Sequence, residues 1–158
     1  MSIKIGDQCP TFRATLANGT TFNISDIIGT NNVVIYFYPK DFTPGCTKEA
    51  CAFRDNYEAF QELDCEVVGI SGDSGDSHDK FASTHNLPFI LVPDGDKAIQ
   101  KKFGVPKSLF GLIPGRVTYI IDKSGTVRGV YNSLTDPFGH IQKGLELVRR
   151  FGENILTS

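Results

Sequence analysis

Cys46 is the residue of this 158-residue chain whose surroundings in sequence promise the most chemistry. It follows Thr43-Pro44-Gly45 at what reads as a helix start, with Thr43 at the N-cap and Pro44 at the first helical position, where its missing N–H costs nothing. Free backbone N–H groups point at such a position. The positive end of the helix dipole favours a thiolate there, and the thiolate is the nucleophilic form of cysteine. A second thiol, Cys51, follows on the same predicted helix. On ideal geometry it lies about 140° round the axis, with the two Cα atoms roughly 8–9 Å apart, beyond the roughly 7 Å that a disulfide spans without backbone movement. A bond between them requires the first helical turns to unwind. Two blander readings stand beside this one. Both cysteines could be inert small hydrophobes, a reading weaker for Cys46 than for Cys51. A zinc pair is the other, but structural zinc sites use C-x(2–4)-C spacing with a second ligand pair, and none follows here.

The elements that must position these thiols are legible in outline. Val33 to Tyr38 is an unbroken β-branched and aromatic run, apolar enough for a strand buried on both faces, and Pro39 ends it. Ala50, Phe53, Tyr57 and Phe60 continue from Cys46 at helical steps, so one helix is predicted to about Leu63. Cys65–Ile70 is the next strand, and a helix from near Ser77 to before Leu87-Pro88 makes a βαβ crossover. Such units place catalytic groups at the strands' C-terminal ends, here around Pro39–Cys46 and Ser71–Ser74. Ser71 and Asp73 read as turn residues before they read as supports of a site.

Upstream, residues 11–24 alternate around Asn18-Gly19, the pattern of a hairpin with a two-residue turn. Downstream come a short strand at Phe89–Val92, a helix to about Phe103, a hairpin of Arg116–Asp122 with Thr126–Tyr131, and a final helix of about Pro137–Phe151 with Ile141, Leu145 and Val148 on one face. Between them Pro106, Gly111, Pro114 and Gly115 break any period; the apolar Phe110, Leu112 and Ile113 read as packing over the core in preference to a docking patch. This order predicts a thioredoxin-like α/β sandwich: a central mixed β-sheet flanked by helices on both faces, preceded by an N-terminal β-hairpin, in one domain over residues 1–158. Cys9 reads as packing filler, and Cys65 opens its strand at the end away from the crevice, which discounts it as a third catalytic thiol.

Composition narrows the function classes. A net charge of −2, with 40% hydrophobic and 22% charged residues, argues for neither nucleic acid nor a membrane surface as partner. No apolar run approaches 18 residues, and MSIKIGDQCPTF shows no basic and hydrophobic leader. Four cysteines in a chain with a full-sized core favour a reducing compartment: a bacterial-type cytoplasm, or a plastid if a transit peptide has been removed.

Pro39, Thr43 and Cys46 fit the pattern P-x-x-x-T-x-x-C, and YFYPKDFTPGCTKEACAFRD resembles the peroxiredoxins, in particular the peroxiredoxin Q or bacterioferritin comigratory protein branch. The resemblance runs from about Ile5 to Arg150, through GISGDS, LFGLIPGR and RVTYIID. It implies that Cys46 is the peroxidatic cysteine and Cys51 the resolving one, joined in an intramolecular disulfide that thioredoxin reduces. Thr43 and Arg116 would complete the catalytic site, with Pro39 shielding it. It also implies hydrogen peroxide and organic hydroperoxides as substrates, no metal, haem or other cofactor, and a monomer. Taken by itself Arg116 is an ordinary arginine at a strand start; only the match gives it a role. Glu49, one turn beyond Cys46, either orients Arg116 or is a solvated charge. Two alternatives share the fold: a thiol–disulfide oxidoreductase, whose C-x-x-C motif the Cys46/Cys51 spacing does not fit, and a peroxide sensor.

Overall fold

The computed structural model describes residues 2–106 and 115–157, with side chains given through residue 151. The sequence's Phe110, Leu112 and Ile113 lie outside the described residues. β1 (Arg13–Thr15) and β2 (Thr21–Asn23) pair as an antiparallel hairpin. Its turn is longer than the two residues expected. Leu16 and Thr20 close it (Leu16 N–H to Thr20 O, 2.9 Å), Gly19 sits at φ +85° and donates to Leu16 O, and the Asn18 side chain accepts from the Thr20 N–H. Asn18 thus turns the chain through its side chain, and only Gly19 needs the left-handed conformation.

β3 (Asn32–Phe37) is buried along its whole length. After it come α1 (Pro44–Asp55), α2 (Tyr57–Glu62), β4 (Cys65–Ser71), α3 (Gly75–His85), β5 (Ile90–Pro93), α4 (Ala98–Phe103), β6 (Val117–Ile121), β7 (Val127–Asn132) and α5 (Pro137–Thr157). The single helix expected from Cys46 to Leu63 is two. At Asn56 the side chain donates to the Ala52 carbonyl (2.8 Å), competing for an acceptor that the helix itself uses, and the backbone leaves helical geometry at φ −108°, ψ 6°. Tyr57, just past the break, keeps its ring packed against the core beside Phe89 and its hydroxyl donates to Glu66, while Phe60 stays fully buried.

The five-stranded sheet has the order β5-β4-β3-β6-β7. β3, β4 and β5 are parallel; β6 runs antiparallel to β3, and β7 to β6. Alternate side chains of β3 serve two cores. Val33, Ile35 and Phe37 pack with Ile99 and Phe103 of α4 and with Phe12 and Phe22 of the hairpin region. Val34 and Tyr36 pack with Ala50 and Phe53 of α1, Phe60 of α2, Phe81 of α3 and Ile141 of α5. Covering both faces is what allows an uninterrupted apolar strand. The antiparallel partnership of β3 and β6 has a functional consequence. It pairs Phe37 with Val117, so that Arg116, just before β6, arrives beside the end of β3 from which the Cys46 loop departs.

Tyr36 fits over β4 only because residue 69 has no side chain: a Cβ there would lie 2.8 Å from the Tyr36 Cζ and hydroxyl and 2.8 Å from Leu91 Cδ2. The ring has no room to yield, being stacked on Phe53 at 4.5 Å. Gly69→Ala is expected to lower stability by about 1–3 kcal/mol through overpacking. Gly72→Ala, whose Cβ meets nothing nearer than 3.7 Å, should be close to neutral, and urea denaturation of both variants measures the contrast.

Candidate active site

Cys46 sits in the first turn of α1 with 1% exposure. Thr43 occupies the N-cap with extended backbone (φ −75°, ψ 151°), as Pro44 after it requires. The expected side-chain cap is absent, and the Thr43 hydroxyl donates its proton to the Lys40 carbonyl at 2.7 Å. Two things follow. The hydroxyl's lone pairs remain available to accept, and the Thr43 side chain takes none of the free N–H groups of the first turn, which stay open to a bound oxygen. Pro39 is half-buried at the mouth of this loop.

Arg116 is 4% exposed, and its guanidinium lies across the same turn. Nη2 donates to Cys46 Sγ at 3.3 Å, Nη1 to Glu49 Oε1 at 2.8 Å, and Nε to the Leu134 carbonyl at 3.1 Å. Gly45 makes this approach possible, since a Cβ there would come 2.8 Å from Nη2. Glu49 is fully buried, and burial pushes its carboxyl up to about 8 against the opposing pull of Arg116. Its second oxygen has no hydrogen-bond partner among the described residues and faces His140 Nδ1 at 3.5 Å.

His140, also fully buried, links α5 to this group. Its Nε2 lies 2.8 Å from the Ser133 carbonyl, an arrangement that requires the proton on Nε2, and Nδ1 then accepts from the Thr118 hydroxyl at 2.6 Å. Burial pushes the imidazole down to about 4, the Ser133 carbonyl pulling the other way. Cys46, Arg116, Glu49, His140 and Thr118 form a continuous line of side chains drawn from α1, β6 and α5, with a nucleophilic sulfur at one end. Such a site can present a thiolate to an oxygen and offer fixed donors to the charge that develops on a departing one.

The structure brings Cys46, Thr43 and Arg116 together and leaves Cys51 half-buried farther along the same unbroken helix. All four cysteines are free. Burial pushes the Cys9 thiol up to about 12 and raises that of Cys65 further, in keeping with a packing role for both. Of the two readings of Glu49, the one found is a buried partner that orients Arg116, through a 2.8 Å contact to Nη1. His140 escaped the sequence reading; its trace is the spacing His140, Gly144, Val148, which continues a buried face of α5. Asp41 and His78 escaped it too, a buried pair joined at 2.7 Å.

A family model described as the AhpC/TSA family matches residues 5–130. The chain is 49% identical over 144 residues to a chloroplastic peroxiredoxin Q of Sedum lineare, covering 91% of this chain and 77% of that one. Among solved structures, the peroxidoxin BcpB of Mycobacterium tuberculosis superimposes with a TM-score of 0.85 at 35% identity, over 94% of this chain and 97% of that one. A bacterioferritin comigratory protein of Xanthomonas campestris, described for its alkyl peroxide reduction activity, does so with a TM-score of 0.79 at 31% identity, over 89% and 91% of the two chains.

The depressed imidazole of His140 sets a pH dependence. Its contribution to stability is fully present above the ordinary value of 6.5 and is lost as pH falls towards the folded value of about 4, where the buried ring must be charged. Over that window wild type should lose about 3 kcal/mol more than His140→Asn does. Urea denaturation of both proteins at pH 7, 5.5 and 4.5 reads the difference; parallel pH curves would contradict it.

Proposed function

The chain belongs to the AhpC/TSA family, in its peroxiredoxin Q branch, and is a thiol-dependent peroxidase; on that premise we propose that Cys46 is its peroxidatic sulfur and Cys51 its resolving thiol. The observation that carries the assignment is the 3.3 Å contact between Arg116 Nη2 and Cys46 Sγ in a site shut off from water. A thiolate at Cys46 attacks one oxygen of ROOH, the O–O bond breaks, and the sulfur becomes a sulfenic acid while RO⁻ leaves and takes up a proton. Arg116 holds donors in a rigid fork beside both the sulfur and the developing charge, and it stays protonated throughout. Thr43, whose own proton is directed at Lys40 O, accepts the hydrogen of the peroxide, and Pro39 keeps bulk water from the loop.

Cys51 then condenses with the sulfenic acid, releasing water and forming the disulfide. Because both residues lie in α1, this step needs the start of that helix to open. An external dithiol of the thioredoxin type attacks the disulfide and leaves with the two electrons' worth of oxidation, restoring both thiols. Hydrogen peroxide and organic hydroperoxides are the substrates this cycle accepts. The compartment is a reducing one, plastid or bacterial cytoplasm, in line with the chloroplastic designation of the plant relatives.

NADPH oxidation in the presence of thioredoxin, thioredoxin reductase and peroxide tests the cycle. Cys46→Ser is expected to abolish turnover, and retained activity would move the nucleophile elsewhere. With Cys51→Ser, one rapid oxidation should survive without recycling by thioredoxin, and sulfinic acid should accumulate at Cys46 by mass. Arg116→Met should lower kcat/KM by about 100-fold or more, the scale for losing a charged transition-state donor.

A further inference from the structure

Asp41, in the loop between β3 and α1, is 4% exposed and saturated with hydrogen bonds. Its Oδ1 accepts from the Tyr38 hydroxyl at 2.6 Å, and its Oδ2 from the Ser77 hydroxyl at 2.9 Å and His78 Nδ1 at 2.7 Å. Its own N–H donates to Asp73 Oδ2 at 2.8 Å, which also accepts from the Ser71 hydroxyl at 2.6 Å. His78 Nε2 is engaged by the Val92 carbonyl at 3.2 Å. Ligating atoms of Asp41, Asp73 and His78 lie within 4.8 Å of one another, yet an ion among them would have to displace these bonds, so the group is complete as a hydrogen-bonded unit. What it joins is the loop leading to Cys46, the end of β4, the first turn of α3 and β5.

The same loop contains a conformation pulling the other way. Phe42 has φ +65°, a left-handed geometry uncommon for an aromatic residue, and it keeps that geometry with half its surface exposed and its ring against Phe81 at 5.1 Å. Farther along α1, Arg54 Nη1 donates to the His85 carbonyl at 2.7 Å and Phe53 is stacked on Tyr36. α3 therefore grips both approaches to α1, the loop before it through Ser77 and His78 and the far end through His85. The far end is anchored by a buried aromatic ring as well, so the opening that the disulfide requires falls to the start of α1 and its loop, which the Arg116 contacts to Cys46 and Glu49 also hold. From these contacts we propose that Asp41, Ser77 and His78 form a clasp that holds the Cys46 loop in its reactive shape, and that the ease with which it releases sets the fate of the oxidised sulfur. These three are positioning residues, and the proposal rests on the Cys46/Cys51 cycle above.

Two reactions compete for the sulfenic acid: condensation with the Cys51 thiol, which yields the disulfide and water, and attack on a second ROOH, which yields sulfinic acid and ROH. Only the first needs the loop to open. Weakening the clasp should speed disulfide closure and lower the sulfinic fraction, a shift that a loss of stability alone does not produce. Ser77→Ala, which removes one half-buried hydrogen bond, and His78→Asn, which removes more, are mixed with one equivalent of hydrogen peroxide, quenched with a thiol-alkylating reagent at timed intervals and weighed; a parallel series uses excess peroxide. Ser77→Ala is expected to close its disulfide roughly fivefold faster than wild type, the effect of one hydrogen bond, with a sulfinic fraction lowered to match. Closure rates and sulfinic fractions equal to wild type, even with a lowered Tm, would overturn the proposal, as would a raised sulfinic fraction. A wild-type protein that forms no Cys46–Cys51 disulfide after one equivalent of peroxide would remove the premise instead, a result separate from the comparison of variants.

Discussion

The interaction on which the site depends is a buried guanidinium shared between a sulfur and a carboxylate. Taking a charge out of water costs several kcal/mol, and it persists only where geometry supplies partners for most of its hydrogen atoms. Arg116 has the Cys46 sulfur, the Glu49 carboxylate and the Leu134 carbonyl. The partners come from two parts of the fold, Cys46 and Glu49 from α1 and Leu134 from the segment after β7. The two on α1 are three residues apart and so on one face of the helix, Gly45 clears the space, and the antiparallel pairing of β6 with β3 delivers the arginine to the right end of the sheet. Moving any of these would leave a cation stranded in a dry interior.

Two polar groups flank the start of α1 and divide the work. On the α5 side, Glu49, His140 and Thr118 back the guanidinium with a neutral imidazole whose two nitrogens are both engaged. That side concerns charge. On the α3 side, Asp41, Ser77 and His78 concern shape, fixing a loop that contains a strained residue. Between them lies a helix whose far end is pinned by Phe53 under Tyr36, so rigidity and freedom are distributed along one short element.

Much of this was legible from residue order. β3, β4, β6, β7 and the cysteine helix announce themselves through apolar periodicity, because each is covered by a packed face and its pattern survives intact. The break at Asn56 was not visible, since a side chain folding back on its own helix leaves the apolar stripe in register on either side. The hairpin turn was placed correctly but given the wrong length, because Asn18 can act either through its backbone or through its side chain. Cys46 and Thr43 stand out by local spacing, whereas Arg116 has meaning only through resemblance, its partners being distant in sequence. Glu49, His140, Asp41 and His78 are the harder cases. A buried polar residue looks like a surface one until its partner is known, and partners such as Glu49 and His140 meet only through the tertiary fold.

The pairing of β6 beside β3 also imposes an order in time. The arginine contacting Cys46 is 70 residues farther along the chain, so a growing polypeptide displays its cysteine helix long before the guanidinium has been synthesised. Until β6 docks, that sulfur lacks its charged neighbour. The pair is therefore completed only by the closing of the sheet's centre, a contact of long sequence separation.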